Sequence, residues 1–218
     1  ALFWQGKMPA APLFTTAPFG LQPVAHAACI EAEGQALWDE LYQPHGVKAF
    51  LGGNTGPSSA GWFRKEIKSL AEMQGLRIRV TGLGAEVYKR LGAVPTAIAP
   101  GDVYPALERG VIDAAEFLAP ANDAPLGLHR IAPHLLFPGF NKPNGASELL
   151  IGAGHWRDLP QHLKMIVEMA CRAEHGQALA EAETANAAAL RTVIEQGARV
   201  SFLSEELLAA ARDAAKAI

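Results

Sequence analysis

Two arginines one residue apart, Arg77 and Arg79 in GLRIRVTGLGAEVYKRLGAVPT, offer the clearest chemistry in this chain. A guanidinium stays charged at any working pH and presents parallel N–H donors that match a carboxylate. Alternation puts Arg77, Arg79 and Thr81 on one face of a strand and Leu76, Ile78 and Val80 on the other. An arginine at the end of such a strand is placed to read an anion. Glu116, inside the apolar run VIDAAEFLA, is costly to bury unless a cation answers it. Asp113, nearer the start of that run, is expected to face solvent. Lys142 sits in the Pro-, Gly- and Asn-rich loop FPGFNKPNGASE, where a lysine taken alone reads as a surface residue.

Other motifs exclude more than they offer. TGLGAEV has Gly82 and Gly84 between a strand and a helix, but the third small position of a dinucleotide fingerprint is Val87, so a plain turn is expected. GNTGPSS lacks the GK[ST] ending of a phosphate loop. Its place after a strand still makes Gly53, Gly56, Ser58 and Ser59 candidates for presenting amides and hydroxyls to a ligand, with a simple turn as the equal alternative. The seven histidines form no HExxH pattern, and no GxSxG nucleophile elbow is present. Hydrolase chemistry has no visible seat, and the residues point to a binder.

The elements that must hold these groups alternate. AHAACIEAEGQALWDELYQPHG reads as a helix over 25–42, VKAFLGG and GLRIRV as strands, GAEVYKRLG as a helix closed by Gly92, and AVPTAIA as extended chain. PGDVYPALERG reads as a helix capped by Asp102 and ended by Gly110, followed by VIDAAEFLA as a buried strand. LLFPGF and SELLIGA follow, then an Ala- and Glu-rich helix over 160–196 and a last helix capped by Ser204. This pattern implies an α/β fold with a largely parallel sheet. About 35 helical residues would reach about 50 Å, more than one small domain needs, so that helix is expected to span two lobes.

The 218 residues are half hydrophobic and carry a net charge of -3 from 19 basic and 22 acidic side chains, scattered rather than blocked. That balance gives no footprint for nucleic acid or an anionic membrane. Cys29 and Cys171 match no metal or redox spacing and read as small buried hydrophobes, with a single disulfide left open. The apolar opening ALFWQGKMPAAPLFTTAPFG implies packing partners upstream, and the last helix runs out without a closing signal.

FTTAPFGL, WDELYQPHGVKAF, GNTG and GDVYPALERGVIDAAEF, in that order, resemble the extracytoplasmic solute-binding subunit of tripartite ATP-independent periplasmic (TRAP) transporters. The likeness is to the branch that binds 2-oxo acids and related monocarboxylates, and it covers nearly the whole chain. It implies a periplasmic α/β protein of two lobes, with crossing strands and one long helix spanning both, that does no chemistry. Lobe I would comprise residues 1–56 and 145–185, and lobe II residues 57–144 and 186–218. A secretion signal, the first βαβ units and a C-terminal segment would lie outside this sequence. The implied partners are a small carboxylate ligand and the TRAP membrane permease subunits, with no nucleic acid and no direct membrane insertion.

The resemblance also implies that Arg79 pairs with the ligand carboxylate. Glu116 and the carbonyl of Phe117 match positions that help hold a bridging metal in the 2-oxo acid branch. Metal-binding members carry Gln at the position of Ser58 and a second Glu at that of Lys142. Two lost oxygen ligands and an added ammonium disfavour a cation. No cofactor is therefore expected, and Lys142 is expected to satisfy Glu116 in the metal's place. Asn54 and Thr55 become candidates for the ligand's carbonyl or hydroxyl oxygen, and Trp4, Phe19, Trp62 and Phe140 for apolar walls. An α/β enzyme with a nucleotide or metal cofactor, and a sensor domain of the same fold, are the rival readings.

Overall fold

The computed structural model describes residues 4–218. A helical run opens it: α1 (Pro23–Cys29), a π-helical stretch over Ile30–Gly34, and α2 (Gln35–Tyr42). The single helix expected over 25–42 is thus present with a π insertion. β1 (Val47–Asn54) leads into an extended crossing and β2 (Gly61–Phe63); β3 (Arg77–Arg79), α3 (Leu83–Arg90), β4 (Val94–Thr96), α4 (Val103–Glu108) and β5 (Ala114–Ala115) follow. α5 (Pro120–Asp123), β6 (His134–Phe137), β7 (Ala146–Gly152), α6 (Ala153–Asp158), α7 (Gln161–Glu195), β8 (Arg199–Phe202) and α8 (Glu205–Lys216) complete it.

Six strands form one sheet in the order β4-β3-β5-β2-β6-β8, and β1 pairs antiparallel with β7 in a separate ribbon. The sheet is mixed rather than largely parallel. β3 runs parallel to β4 and β5, and β6 to β8, but β2 lies antiparallel to both β5 and β6. The reversal follows from the route of the chain, which enters β2 from the crossing instead of through a helical crossover.

Period-2 alternation divides the sheet's side chains between two cores. Phe63, Ile78, Ala114 and Leu136 join Val87, Tyr88 and Leu207 on one face. Trp62, Ala115 and Leu135 join Leu107, Leu128 and Val193 on the other. Ile78 and Val80 are buried, as the pattern predicts, so Arg77 and Arg79 fall on the Trp62 face. A third core around Trp38, Tyr42 and Leu51 belongs to the β1–β7 ribbon. Full burial of a side chain such as Ile78 or Leu136 contributes about 1.5–3 kcal/mol.

α7 runs 35 residues from Gln161, within a residue of the expected bounds. His175 Nδ1 donates to the Gly53 carbonyl at 3.3 Å. Asn186 donates to the Thr55 carbonyl at 3.1 Å and accepts from the Ala121 amide, at the start of α5, at 3.0 Å. α7 thus holds the end of β1 and α5 together. Ser204 caps α8 by accepting from the Leu207 amide at 3.3 Å, worth about 1 kcal/mol. Asp102 makes no side-chain cap; Pro100–Asp102 instead forms a 3-10 turn that runs straight into α4. Cys29 and Cys171 are both free, and Cys29 is exposed rather than buried. Among the described residues no helix is long and apolar enough to cross a membrane.

Candidate functional site

Two segments cross between the ribbon and the six-stranded sheet: 55–60 leaving β1, and 138–145 leaving β6, the latter turning at Phe140 and Asn141 where Lys142 N donates to Gly139 O at 3.2 Å. They are bonded to each other along their length. Thr55 N donates to Gly145 O at 3.1 Å, and Ser58 N to Lys142 O at 3.0 Å. Asn54 Nδ2 donates to Asn144 Oδ1 at 2.7 Å. Gly139 and Gly145 bracket the second segment because nothing larger fits: a Cβ on Gly139 would overlap the Ser58 carbonyl, and one on Gly145 the Thr55 hydroxyl.

This crossing delivers Lys142 to the C-terminal end of β5. Its Nζ lies 2.6 Å from Glu116 Oε1 and donates to the Phe117 carbonyl at 2.5 Å. Burial pushes the Glu116 carboxyl above its ordinary value, opposed by the charge and hydrogen bonding of Lys142 and by the nearby Arg79 charge. The Asn141 amide adds to that opposition, although neither of its buried atoms reaches a hydrogen bond of regular geometry. The lysine expected at the surface is 7 % exposed. A cation held against two oxygens is how a fully buried carboxylate stays tolerable here.

Arg79 is the second buried cation. Its Nε donates to the Ile98 carbonyl at 3.2 Å and Nη1 to the Glu116 carbonyl at 2.7 Å, with the guanidinium 5.0 Å from the centre of the Phe117 ring. Among the described residues Nη2 has no hydrogen-bond partner. Burial lowers the Arg79 pKa, against the charges of Glu116 and Asp123. Arg77 goes elsewhere: at the sheet margin its Nε and Nη2 grip both oxygens of Asp113 at 2.8 and 2.7 Å. That pairing also takes Asp113 out of the purely solvent-facing role expected of it.

Of the candidates read from sequence, Arg79, Glu116, Phe117, Lys142 and Ser58 come together. Ser58 acts through the backbone, its Oγ and N both donating to the Lys142 carbonyl at 3.0 Å. Asn54 and Thr55 lie where β1 meets the crossing, with their polar groups engaged: Asn54 Oδ1 accepts from Gly56 N, and Thr55 Oγ1 donates to Gly145 O. Trp62 and Phe140 are core residues, Phe19 stacks on Phe140, and Trp4 packs apart from them, edge-on to His45.

Asp123 escaped the sequence reading. It is fully buried, accepting from Trp62 Nε1 at 2.8 Å and Leu118 N at 3.0 Å, and so fixes the chain just beyond Phe117. Burial pushes its carboxyl up to about 7, against those two hydrogen bonds. Asn144 was also missed, since NKPNG reads as a turn. Among the described residues no group of three or more His, Cys, Asp or Glu is placed to hold a metal ion.

The whole arrangement has relatives. The family described as DctP, bacterial extracellular solute-binding protein, family 7, matches residues 2–218. A monocarboxylate 2-oxoacid-binding periplasmic protein of Nostoc sp. strain PCC 7120 is 34% identical over 211 residues, covering 96% of this chain and 58% of the relative. A TRAP transporter solute-binding protein from Bordetella bronchiseptica RB50, with calcium and picolinate in one active site, superposes with a TM-score of 0.95 at 37% identity, over 99% of this chain and 65% of its own. One from Colwellia psychrerythraea with bound calcium and pyruvate gives 0.94 at 31%, over 99% and 66%. The chain therefore spans less than two thirds of the length of these relatives. Sequence and fold agree across nearly every residue given, and the chain belongs to the DctP family of bacterial extracellular solute-binding proteins.

Proposed function

We propose that this protein is the periplasmic receptor of a TRAP transporter that captures a small 2-oxo or 2-hydroxy monocarboxylate and passes it to the membrane permease subunits. The observation that carries this reading is Arg79, a buried guanidinium fixed through Nε and Nη1, with Nη2 unspent among the described residues. Such a group binds a carboxylate strongly and aligns it. Relatives that bind pyruvate or 2-oxo acids support the ligand class. A solved TRAP protein from Pseudoalteromonas atlantica T6c, 32% identical, holds sodium with its pyruvate.

A resident cation does not fit the residues here. Calcium takes six to eight oxygens. The Glu116 carboxylate and Phe117 carbonyl that would supply two of them are already met by the Lys142 ammonium. In this reading Lys142 performs the cation's electrostatic work, neutralising Glu116 and facing the oxygen on C2 of the ligand. The two lobes, 1–56 with 145–185 and 57–144 with 186–218, would close over the acid by hinge motion, with the closed form binding it better. No bond is made or broken.

Calorimetric titration with pyruvate and lactate, with calcium and with chelator, tests this beside Arg79→Ala. Binding that ignores chelator and disappears in the variant supports the reading. Chelator-sensitive binding removes the lysine substitution but keeps the receptor, and no binding to either acid removes both.

A further inference from the structure

One side chain in this protein stands in a backbone conformation that bulky residues avoid. Phe19 has φ 55° and is the one non-glycine residue with positive φ among those described. Left-handed backbone is uncommon outside Gly, Asn and Asp, and persists where surroundings over-determine it. Here they do. The Phe19 N–H donates to the Phe140 carbonyl at 2.7 Å, and the two rings stack 5.4 Å apart at 16°. The Arg212 guanidinium of α8 lies 5.4 Å from the same ring. Four residues earlier, the Thr15 carbonyl accepts from Asn144 Nδ2 at 3.1 Å.

Residues 15–19 are therefore fastened at both ends to the short loop that carries Lys142. One anchor lies two residues before the lysine and the other two residues after. A loop of Pro, Gly and Asn has little rigidity of its own, and a flexible ammonium on a four-carbon stem needs its backbone fixed to stay on two oxygens.

We propose that Phe19 is a positioning residue of the binding site: the strap of residues 15–19 clamps the Phe140–Asn144 loop so that Lys142 stays over Glu116 and Phe117. The strained backbone at Phe19 is the geometry that brings its N–H and its ring to bear on Phe140 together. This inference rests on the role given to Lys142 above.

The test compares pyruvate with propanoate, which shares the carboxylate for Arg79 but lacks the oxygen on C2 that Lys142 would face. Titrations of the unaltered protein, Lys142→Met, Phe19→Leu, Phe19→Tyr and Asn144→Ser give five affinity ratios. Phe19→Leu keeps apolar bulk and loses the stack; Phe19→Tyr keeps it. The expected result is a pyruvate preference of about tenfold or more in the unaltered protein, collapsed in Lys142→Met, reduced several-fold in Phe19→Leu and restored in Phe19→Tyr. Melting temperatures show whether each variant folds, and Asn144→Ser, which loosens the second anchor, must lower the ratio too. A preference unchanged in Phe19→Leu, or a loss shared equally by both acids, overturns the clamp. If Lys142→Met keeps the preference, the lysine role itself has failed, and the clamp with it.

Discussion

The ammonium of Lys142 stands 2.6 Å from the carboxylate of Glu116, and no solvent reaches that carboxylate. Removing one partner of such a pair leaves an uncompensated buried charge, costing about 3–5 kcal/mol, while replacing both with neutral groups costs much less. Lys142→Met is therefore expected to lose about that much stability in urea unfolding. Glu116→Gln in the same background should recover most of it. Equal loss in the single and double variants would mean the pair is not coupled.

Arg77 and Arg79 predict opposite outcomes from the same substitution. The Arg77–Asp113 pair is partly exposed at the sheet margin, and such pairs contribute up to about 1 kcal/mol. Arg77→Ala should shift the melting temperature slightly and leave pyruvate affinity unchanged. Arg79→Ala should abolish that affinity. An Arg77 variant that loses the ligand would exchange the two roles.

Asp123 predicts a pH dependence. Its carboxyl is raised from an ordinary 3.8 to about 7 when folded, so between those values the folded protein keeps a proton that the unfolded chain releases. The stabilisation is complete below about pH 4, declines as pH rises and is gone above about pH 7. Glu116 shifts in the same direction. The Asp123 contribution should fall across that window, opposed by His26 and His129, whose burial favours the neutral ring and adds stability as pH rises toward 6.5. Melting temperatures compared across the window should show Asp123→Asn losing that downward component. A variant with the unaltered slope would assign the titration to another group.

At Gly139 and Gly145 the clash is with backbone and with a hydroxyl held in the crossing, neither of which can rotate away freely. Gly139→Ala should cost about 1–3 kcal/mol through backbone displacement and lower pyruvate affinity by moving Lys142. Gly6→Ala meets open space and serves as the control. Equal behaviour of the two would remove the steric argument.

Much of the site was legible because charge on an apolar run is expensive. Arg79 and Glu116 stood out as groups needing partners, and strand alternation gave the right face. Lys142 was different: its loop reads as surface, and only the resemblance to a family that places a carboxylate there suggested burial. Asp123 and Asn144 were illegible for the opposite reason. Short polar residues among Pro, Gly and Ala satisfy every local rule for a turn, so nothing in PANDAP or NKPNG signals a contact made across the fold. The antiparallel placement of β2 was likewise hidden, since a three-residue strand carries no record of its direction.

His175 and Asn186 both bond to carbonyls at the end of β1, from positions 11 residues apart on α7. Eleven residues make close to three full turns, so both side chains leave the helix in nearly the same direction. The register of this helix is therefore a ruler with two fixed marks. Its exposed positions are free to change identity, but adding or deleting a single residue between the marks would rotate one about 100° from the other. Variation along this stretch should take the form of substitution at constant length.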